Sequence, residues 1–167
     1  MSLYEGTTGI QSLDLLGRKV VMKSGAAMRY LSDEIKATIT DASNYDDLKP
    51  YADQLISATK NMEGTLGHLL QFAMSGKHER FIADATIFME YMSTIVIAWQ
   101  WLKMAAVSKT ALVTGNKTLS DVFYEEKIHT MKFFYKYELV KISSLSETLR
   151  HPDALIVMED NVHTFET

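Results

Sequence analysis

The sequence predicts an all-α protein built as an up-down bundle of four long antiparallel helices. Apolar residues recur at three- and four-residue spacing through most of the 167 residues, and only two prolines occur. This spacing gives a helix one apolar stripe that must be buried against a neighbour. No run of alternating Val, Ile and Thr bounded by turn residues is present, so no sheet is expected. Short connections between long amphipathic helices favour antiparallel neighbours.

The first predicted helix covers residues 9–39. Its apolar face consists of Leu13, Leu16, Val20, Ala27, Leu31 and Ile35. Gly17 and Gly25 lie inside this helix, where each costs roughly 1 kcal/mol relative to alanine. We therefore expect another part of the chain to pack closely against both glycines.

The second predicted helix follows a polar break at residues 41–47. Asp46 or Asp47 is expected to cap it, and Pro50 is tolerated in its first turn. Its buried stripe consists of Leu48, Leu55, Met62, Leu66, Leu69 and Ala73. The helix is expected to end at Ser75 and Gly76, because glycine adopts the left-handed cap conformation at little cost.

The third predicted helix spans residues 78–113 and is apolar around much of its circumference between 87 and 107. A helix of that kind is typical of the centre of a bundle. Gly115 and Asn116 end it, and Thr118 or Ser120 caps a fourth helix that runs to about residue 149. The tail over 154–167 is expected to add one short helical turn.

Composition limits the classes of function. A chain with 47% apolar and 23% charged residues is typical of one globular domain, or a large piece of one. The net charge is -4 and the basic residues form no cluster along the sequence, so no nucleic-acid partner is expected. Without cysteine there are no disulfides, which fits a cytoplasmic location. No signal peptide is visible, and the most apolar run, 91–102, is shorter than the roughly 20 residues of a transmembrane helix.

The most informative segment is residues 3–18. It places one carboxylate, Glu5, on a short loop rich in glycine and threonine, immediately before a helix. Tyr4, Glu5, Gly6 and Thr7 resemble the Tyr-Glu-Gly-Thr signature near the C-terminus of acyl-CoA dehydrogenases. Three later blocks, at 99–106, 123–127 and 133–135, resemble the C-terminal extension of the larger bacterial members of that family.

The resemblance implies a role for each residue of the loop. Glu5 matches the base that removes the α-proton of an acyl-CoA, while a hydride leaves the β-carbon for FAD. Gly6, Thr7 and Thr8 match positions that line the flavin. Gly9 departs from a glutamine common in other branches, so no side-chain contact to flavin is expected there.

The resemblance also implies what the whole enzyme does. The parent would oxidise acyl-CoA to trans-2-enoyl-CoA and pass electrons to an electron-transfer flavoprotein. Residues 3–40 would be the catalytic loop and last helix of the catalytic helical domain, and 44–167 a C-terminal helical extension. Because the family holds its flavin largely through segments that precede the signature, the chain by itself is expected to be inactive. Its uncovered apolar surface is expected to produce a homo-oligomer. Arg18 receives no coenzyme role.

Two alternatives belong to other classes of protein. In the first, the chain is a stand-alone helical interaction or oligomerisation module, and Glu5 is an acidic residue favoured by the helix dipole. In the second, Glu126 and His129 form half of a di-metal site. Such a site needs a second Glu-x-x-His pair, and the sequence contains none, so no metal ligand is predicted. The dense aromatic residues around 99–101 and 133–137 are expected to be core.

Overall fold

A computed structural model describes residues 7–153 and residue 155. Within that part the chain is helical and contains no strand, which confirms the all-α class. The turn expected within 154–167 lies outside the described residues, apart from residue 155. A π-helical segment occupies Leu15–Lys19, and a 3-10 turn occupies Leu139–Lys141. The α-helices are α1 (Thr8–Asp14), α2 (Met22–Ser43), α3 (Lys49–Met74), α4 (His78–Ile82), α5 (Ala85–Thr114), α6 (Asp121–Tyr137) and α7 (Ile142–Arg150).

Helix α5 lies at the centre, as its apolar circumference predicts. It contacts α1, α2, α3, α6 and α7. Its buried side chains recur at three- and four-residue spacing: Phe88, Tyr91, Ile95, Ala98, Leu102 and Ala105. Partly buried residues outside this stripe, including Ile87, Met92 and Trp101, also pack against the core, as expected of a helix with neighbours on several sides.

Two polar side chains fasten the neighbouring helices to α5. Trp99 Nε1 donates a hydrogen bond to Thr38 Oγ1 of α2 at 2.7 Å. Tyr135 of α6 donates its hydroxyl proton to the Ala98 carbonyl at 3.2 Å, and its ring meets Tyr51 of α3 edge-on at 5.4 Å. Because Tyr135 is 1% exposed, this contact joins three helices inside the core.

Burial of Tyr135 gives the protein a predicted sensitivity to alkali. Desolvation raises the pKa of the Tyr135 phenol well above its ordinary value. Stability from this group is therefore complete below the unfolded pKa of about 10, and it falls as the pH rises past that value. We expect the free energy of unfolding to decline by about 1.4 kcal/mol per pH unit above pH 10 on account of this tyrosine.

Urea unfolding at pH 9, 10 and 11 measures this decline. Tyr135→Phe should flatten it, at a cost of about 1 kcal/mol at pH 7 for the lost hydrogen bond. The matched control is Tyr30→Phe, since Tyr30 is 73% exposed. The prediction is wrong if the two variants show the same pH dependence.

The prediction of one uninterrupted helix over 9–39 is wrong. After the π-helical segment, Lys23, Ser24 and Gly25 have φ angles of 49°, 55° and 76°. This left-handed run interrupts the predicted helix. Gly25 therefore allows the positive φ angle of this run, and does not provide the close packing expected of it. A Cβ at Gly17 would meet only Ile82 Cγ2, at an ordinary 3.8 Å, so close packing is not found there either. Apolar spacing continues across the break, so periodicity does not reveal it.

The third and fourth predicted helices are also interrupted. Residues 83–84 separate α4 from α5, and the 3-10 turn separates α6 from α7. The expected ends are confirmed at Gly76 and Gly115, whose φ angles of 79° and 72° are left-handed. Ser120 caps α6, since its hydroxyl accepts a hydrogen bond from the Phe123 N–H at 3.3 Å.

The start of α3 differs from its prediction in one respect. Pro50 lies in the first turn, as expected, but neither Asp46 nor Asp47 caps the helix. The N-cap position is taken by Leu48, which makes no side-chain cap. The Asp47 carboxylate instead pairs with Lys109 Nζ of α5 at 2.8 Å. Asp47 therefore joins the turn before α3 to α5 instead of capping α3.

Candidate functional site

The structure describes half of the residues predicted for the catalytic loop. Glu5 and Gly6 lie outside the described residues. Thr7 and Thr8 are described, and both are exposed at the start of α1. The roles assigned to all four residues therefore stay predictions.

Thr7 begins the helix through its backbone. Its carbonyl oxygen accepts hydrogen bonds from the N–H groups of Ile10 and Gln11, at 3.0 and 3.2 Å. Its side chain makes no cap hydrogen bond within α1, so the hydroxyl is not consumed in starting the helix. A Cβ built at Gly9 would meet nothing within 4 Å among the described residues, so this turn is open on that side.

Ser12 positions the short helix on the central one. Its hydroxyl donates to the Gly9 carbonyl at 2.9 Å and shares a hydrogen bond with Thr86 Oγ1 of α5 at 3.2 Å. Ser12 is 1% exposed, and Leu16, one turn later, is fully buried. The segment that follows the predicted loop is thus anchored to the first turn of α5.

The charged side chains between residues 14 and 19 pair with one another. The Arg18 guanidinium pairs with the Asp14 carboxylate, and Lys19 Nζ lies 3.4 Å from that carboxylate. The hydrogen bond from Arg18 holds the pKa of Asp14 below its ordinary value, and Asp14 in turn raises the pKa of Arg18. Arg18, to which no coenzyme role was assigned, therefore has a partner four residues earlier in the chain.

Apolar side chains on this segment and on α2 face outward. Exposed fractions between 41% and 73% are found for Ile10, Leu13, Val21, Met22 and Tyr30. Leu13 was expected in the buried stripe of the first helix, and the prediction for this residue is wrong because Ser12 and Leu16 are the buried side chains of this segment. Large exposed apolar residues of this number on one segment favour a surface that another protein surface covers.

A polar cluster between α3 and α7 was missed by the sequence analysis. Thr65 and Ser146 are buried, and their hydroxyls lie 3.0 Å apart. Ser146 also donates to Asn61 Oδ1 at 2.9 Å, and Arg150 donates to Thr65 Oγ1 and to the Asn61 carbonyl, each at 2.9 Å. The paired positions are 81 to 89 residues apart, so no local sequence signal indicates the cluster.

Tyr91 of α5 lies against this cluster. Its hydroxyl is buried and has no hydrogen-bond partner of good geometry among the described residues, although the Thr65 and Ser146 hydroxyls are near enough to influence it. Burial raises the pKa of the Tyr91 phenol, and the two hydroxyls and the Arg150 charge oppose that rise. Among the described residues, no His, Asp or Glu side chain hydrogen-bonds to the hydroxyls of this cluster, so we assign it to holding α7 in place.

Two glycines of α3 provide a test of this cluster. A Cβ at Gly64 would lie 2.9 Å from Arg150 Nη2, whereas a Cβ at Gly67 would meet nothing within 4 Å. Gly67→Ala should raise the free energy of unfolding by about 1 kcal/mol through helix propensity. Gly64→Ala should be less stable than Gly67→Ala by about 1–2 kcal/mol, because the guanidinium must leave Asn61. Urea denaturation followed by circular dichroism measures both, and equal gains would show that Arg150 contributes nothing.

Arg80 is a second buried group that the sequence analysis missed. It is 9% exposed, lies 5.0 Å from the Phe72 ring centroid, and pairs with Asp84 at 3.4 Å. It also donates to the His151 carbonyl, which ties the end of α7 to α4. These contacts offset the free-energy cost of burying the charged guanidinium of Arg80.

The residues of the metal alternative are both exposed. Glu126 and His129 lie on α6, and no group of three or more His, Asp or Glu residues within the described ranges could hold a metal ion. His68 is half-buried and meets Phe72 edge-on at 5.2 Å. Over residues 7–153, no helix has the length and apolar character required to cross a bilayer.

The described residues thus define an all-α bundle packed around α5. Comparison with known families agrees with this class: residues 31–159 match the family model described as acetyl-CoA dehydrogenase C-terminal like. The match covers most of the chain, and the chain belongs to this family.

Two characterised relatives extend the comparison. The chain is 28% identical over 157 residues to the broad-specificity linear acyl-CoA dehydrogenase of Mycobacterium tuberculosis, covering 91% of this chain and 26% of that protein. It is 30% identical over 145 residues to the 3-methylmercaptopropionyl-CoA dehydrogenase of Ruegeria pomeroyi, covering 86% of this chain and 24% of that protein. The chain therefore spans about a quarter of the length of the relatives it matches.

Proposed function

We propose that this chain supplies the catalytic base and part of the flavin-binding loop of a longer FAD-dependent acyl-CoA dehydrogenase. The observation that carries the proposal is the Tyr4-Glu5-Gly6-Thr7 motif, directly before α1, in a member of this family. Both relatives are named as dehydrogenases of coenzyme A esters. The parent would convert acyl-CoA to trans-2-enoyl-CoA.

Glu5 would act as a general base. Its carboxylate would accept the α-proton of the thioester, and the electron pair of that C–H bond would form the new double bond as the β-hydrogen leaves with its own pair. Bound FAD would accept that hydride. Gly6, which has no Cβ, would let the substrate come close to the base.

The described part of the loop has groups suited to contact one edge of a flavin ring. Thr7 and Thr8 present exposed hydroxyl groups at an open turn, and the Thr7 hydroxyl is not used in capping α1. These donors could hydrogen-bond to the flavin ring, while its enclosure would fall to residues outside this chain. We propose that the chain alone therefore oxidises no acyl-CoA.

The remaining proposals concern organisation and partners. We assign 3–40 to the catalytic helical domain and 44–167 to its extension, with the turn after α2 as the boundary. The exposed apolar residues around Ile10 and Val21 would be covered by the rest of the enzyme or by a second subunit. The enzyme would be a cytoplasmic homo-oligomer that passes electrons to an electron-transfer flavoprotein.

We further infer that α2, α3, α5 and α6 follow each other in up-down order. Contacts between side chains support this arrangement. Ser32 lies 11 residues before the end of α2 and hydrogen-bonds at 3.3 Å with Glu63, 14 residues after the start of α3, as antiparallel neighbours would. Ala98 and Tyr135 similarly join the middle of α5 to the later part of α6.

A substrate analogue separates the proposed proton transfer from hydride transfer. In a 3-thia-acyl-CoA, sulfur replaces the β-carbon, so no β-hydride can leave, but the α-proton remains acidic. We expect the complete flavin-bound protein to exchange that proton for deuterium in D2O, as measured by mass spectrometry. Protein that binds FAD and the analogue but catalyses no exchange would overturn the proposal.

A further inference from the structure

A groove between α3 and the second half of α6 combines aromatic rings with positive charge. It encloses about 630 Å³, within the usual range for sites that bind small molecules. Its lining includes Tyr51, His129, Lys132, Phe133, Lys136 and Tyr137. No carboxylate is among the described residues that line it.

The aromatic wall is unusually open to solvent. Phe133 is 53% exposed and Tyr137 is 49% exposed, and their ring centroids lie 4.7 Å apart with a 45° tilt. The expectation that the aromatic residues around 133–137 are core is thus wrong for these two. Exposed aromatic rings of this size provide a surface on which a planar ligand could stack.

The cations of the groove have no anionic partners. Lys136 Nζ lies 5.2 Å from the Tyr137 ring centroid, and neither Lys132 nor Lys136 pairs with a carboxylate of the described residues. The carboxylate of Glu138, next in the chain, is held by Lys141 at 2.6 Å. In a chain of net charge -4, two unpaired lysines on one groove create a local preference for an anion.

We propose that this groove binds a mononucleotide-like molecule, a planar heteroaromatic ring that carries a phosphate. Phe133 and Tyr137 would stack on the ring, while Lys132 and Lys136 would pair with the phosphate. The net negative charge of the chain favours a small anion over a nucleic acid, which would need a continuous basic track.

The groove and helix α1 contact different parts of α5. Helix α1, which follows the predicted loop, is anchored to α5 at Thr86 through Ser12, and the groove is anchored at Ala98 through Tyr135. Twelve helical positions separate these points, or about 18 Å. The inference therefore does not depend on Glu5 and would survive the failure of the proposed dehydrogenase role.

Calorimetric titration of the whole chain with adenosine 5′-monophosphate tests the proposal. We expect adenosine alone and inorganic phosphate alone to bind at least about tenfold more weakly, since each offers half of the recognition. The double variant Lys132→Gln with Lys136→Gln should weaken binding about tenfold, and Phe133→Leu by a similar factor.

Matched controls lie on the same helix. Lys127→Gln and Phe123→Leu change an α6 lysine and an exposed α6 phenylalanine outside the groove, and both should leave affinity within about twofold. Far-UV circular dichroism confirms that each variant is folded. The proposal is overturned if the monophosphate does not bind at about 10 mM, if the groove and control variants bind equally, or if a single-stranded oligonucleotide binds over about tenfold more tightly.

Discussion

Replacing Glu5 by glutamine in the complete flavin-bound enzyme is expected to lower kcat about 10²–10⁴-fold, the usual contribution of a positioned general base. The amide has nearly the shape of the carboxylate but cannot accept the α-proton. Binding of acyl-CoA and of FAD should change little, because the substitution removes an interaction that forms only as the proton moves. Steady-state turnover and the rate of flavin bleaching in a single anaerobic turnover measure the effect.

Asp14→Asn is the matched control for that substitution. Asp14 is another acid of the same N-terminal segment, but its carboxylate is engaged with Arg18 and Lys19 on the surface of α1. Loss of an exposed ion pair has little energetic effect, so activity should stay within about twofold. Equal losses in the two variants would point to a general electrostatic effect of the segment instead of a base at residue 5.

The same experiment separates the two classes of function. If the complete protein with Glu5→Gln turns over acyl-CoA at the original rate, the motif has no catalytic role. The chain would then be better described as a helical interaction module, and its exposed apolar residues around Ile10 and Tyr30 would be the surface to investigate. If turnover falls and Glu5→Asp restores part of it, the side-chain carboxylate itself is required.

The helical class and the helix ends could be predicted because their causes are local. Gly76 and Gly115 act through their own backbone conformation, and Ser120 acts through a hydroxyl contact three residues away, so sequence shows all three directly. The left-handed run at 23–25 was missed because two of its three residues, Lys23 and Ser24, are not residues that commonly adopt that conformation.

Contacts between distant residues were beyond what sequence patterns reveal. Ser146 and Arg150 read as polar residues of an amphipathic helix, and only the fold shows that they meet Asn61 and Thr65. Asp47 likewise suits a cap, yet it pairs with a lysine 62 positions away. The proposed catalytic loop is the reverse case, since its sequence motif makes Glu5 the candidate base while the structure describes the loop only from Thr7 onward.

A pair of isoleucines on α5 allows the largest stability effect to be tested with its own control. Ile95 is fully buried and Ile97, two residues later, is 45% exposed. Ile95→Ala should reduce the free energy of unfolding by about 2–5 kcal/mol, from lost transfer energy and the cavity left behind. Ile97→Ala should cost under about 1 kcal/mol, because water already reaches that side chain.

The comparison of Ile95→Ala with Ile97→Ala measures the effect of burial, because the two substitutions are otherwise the same. Both substitutions remove the same atoms from the same helix, and both gain the same small helix propensity of alanine over isoleucine. Urea denaturation at pH 7 supplies the two free energies, and their difference should be about 2 kcal/mol or more. Equal costs would mean that Ile97 is also covered, by self-association of the chain. A larger cost at Ile97 would mean that α5 is rotated relative to its neighbours, and every packing contact assigned to the central helix would have to be reassigned.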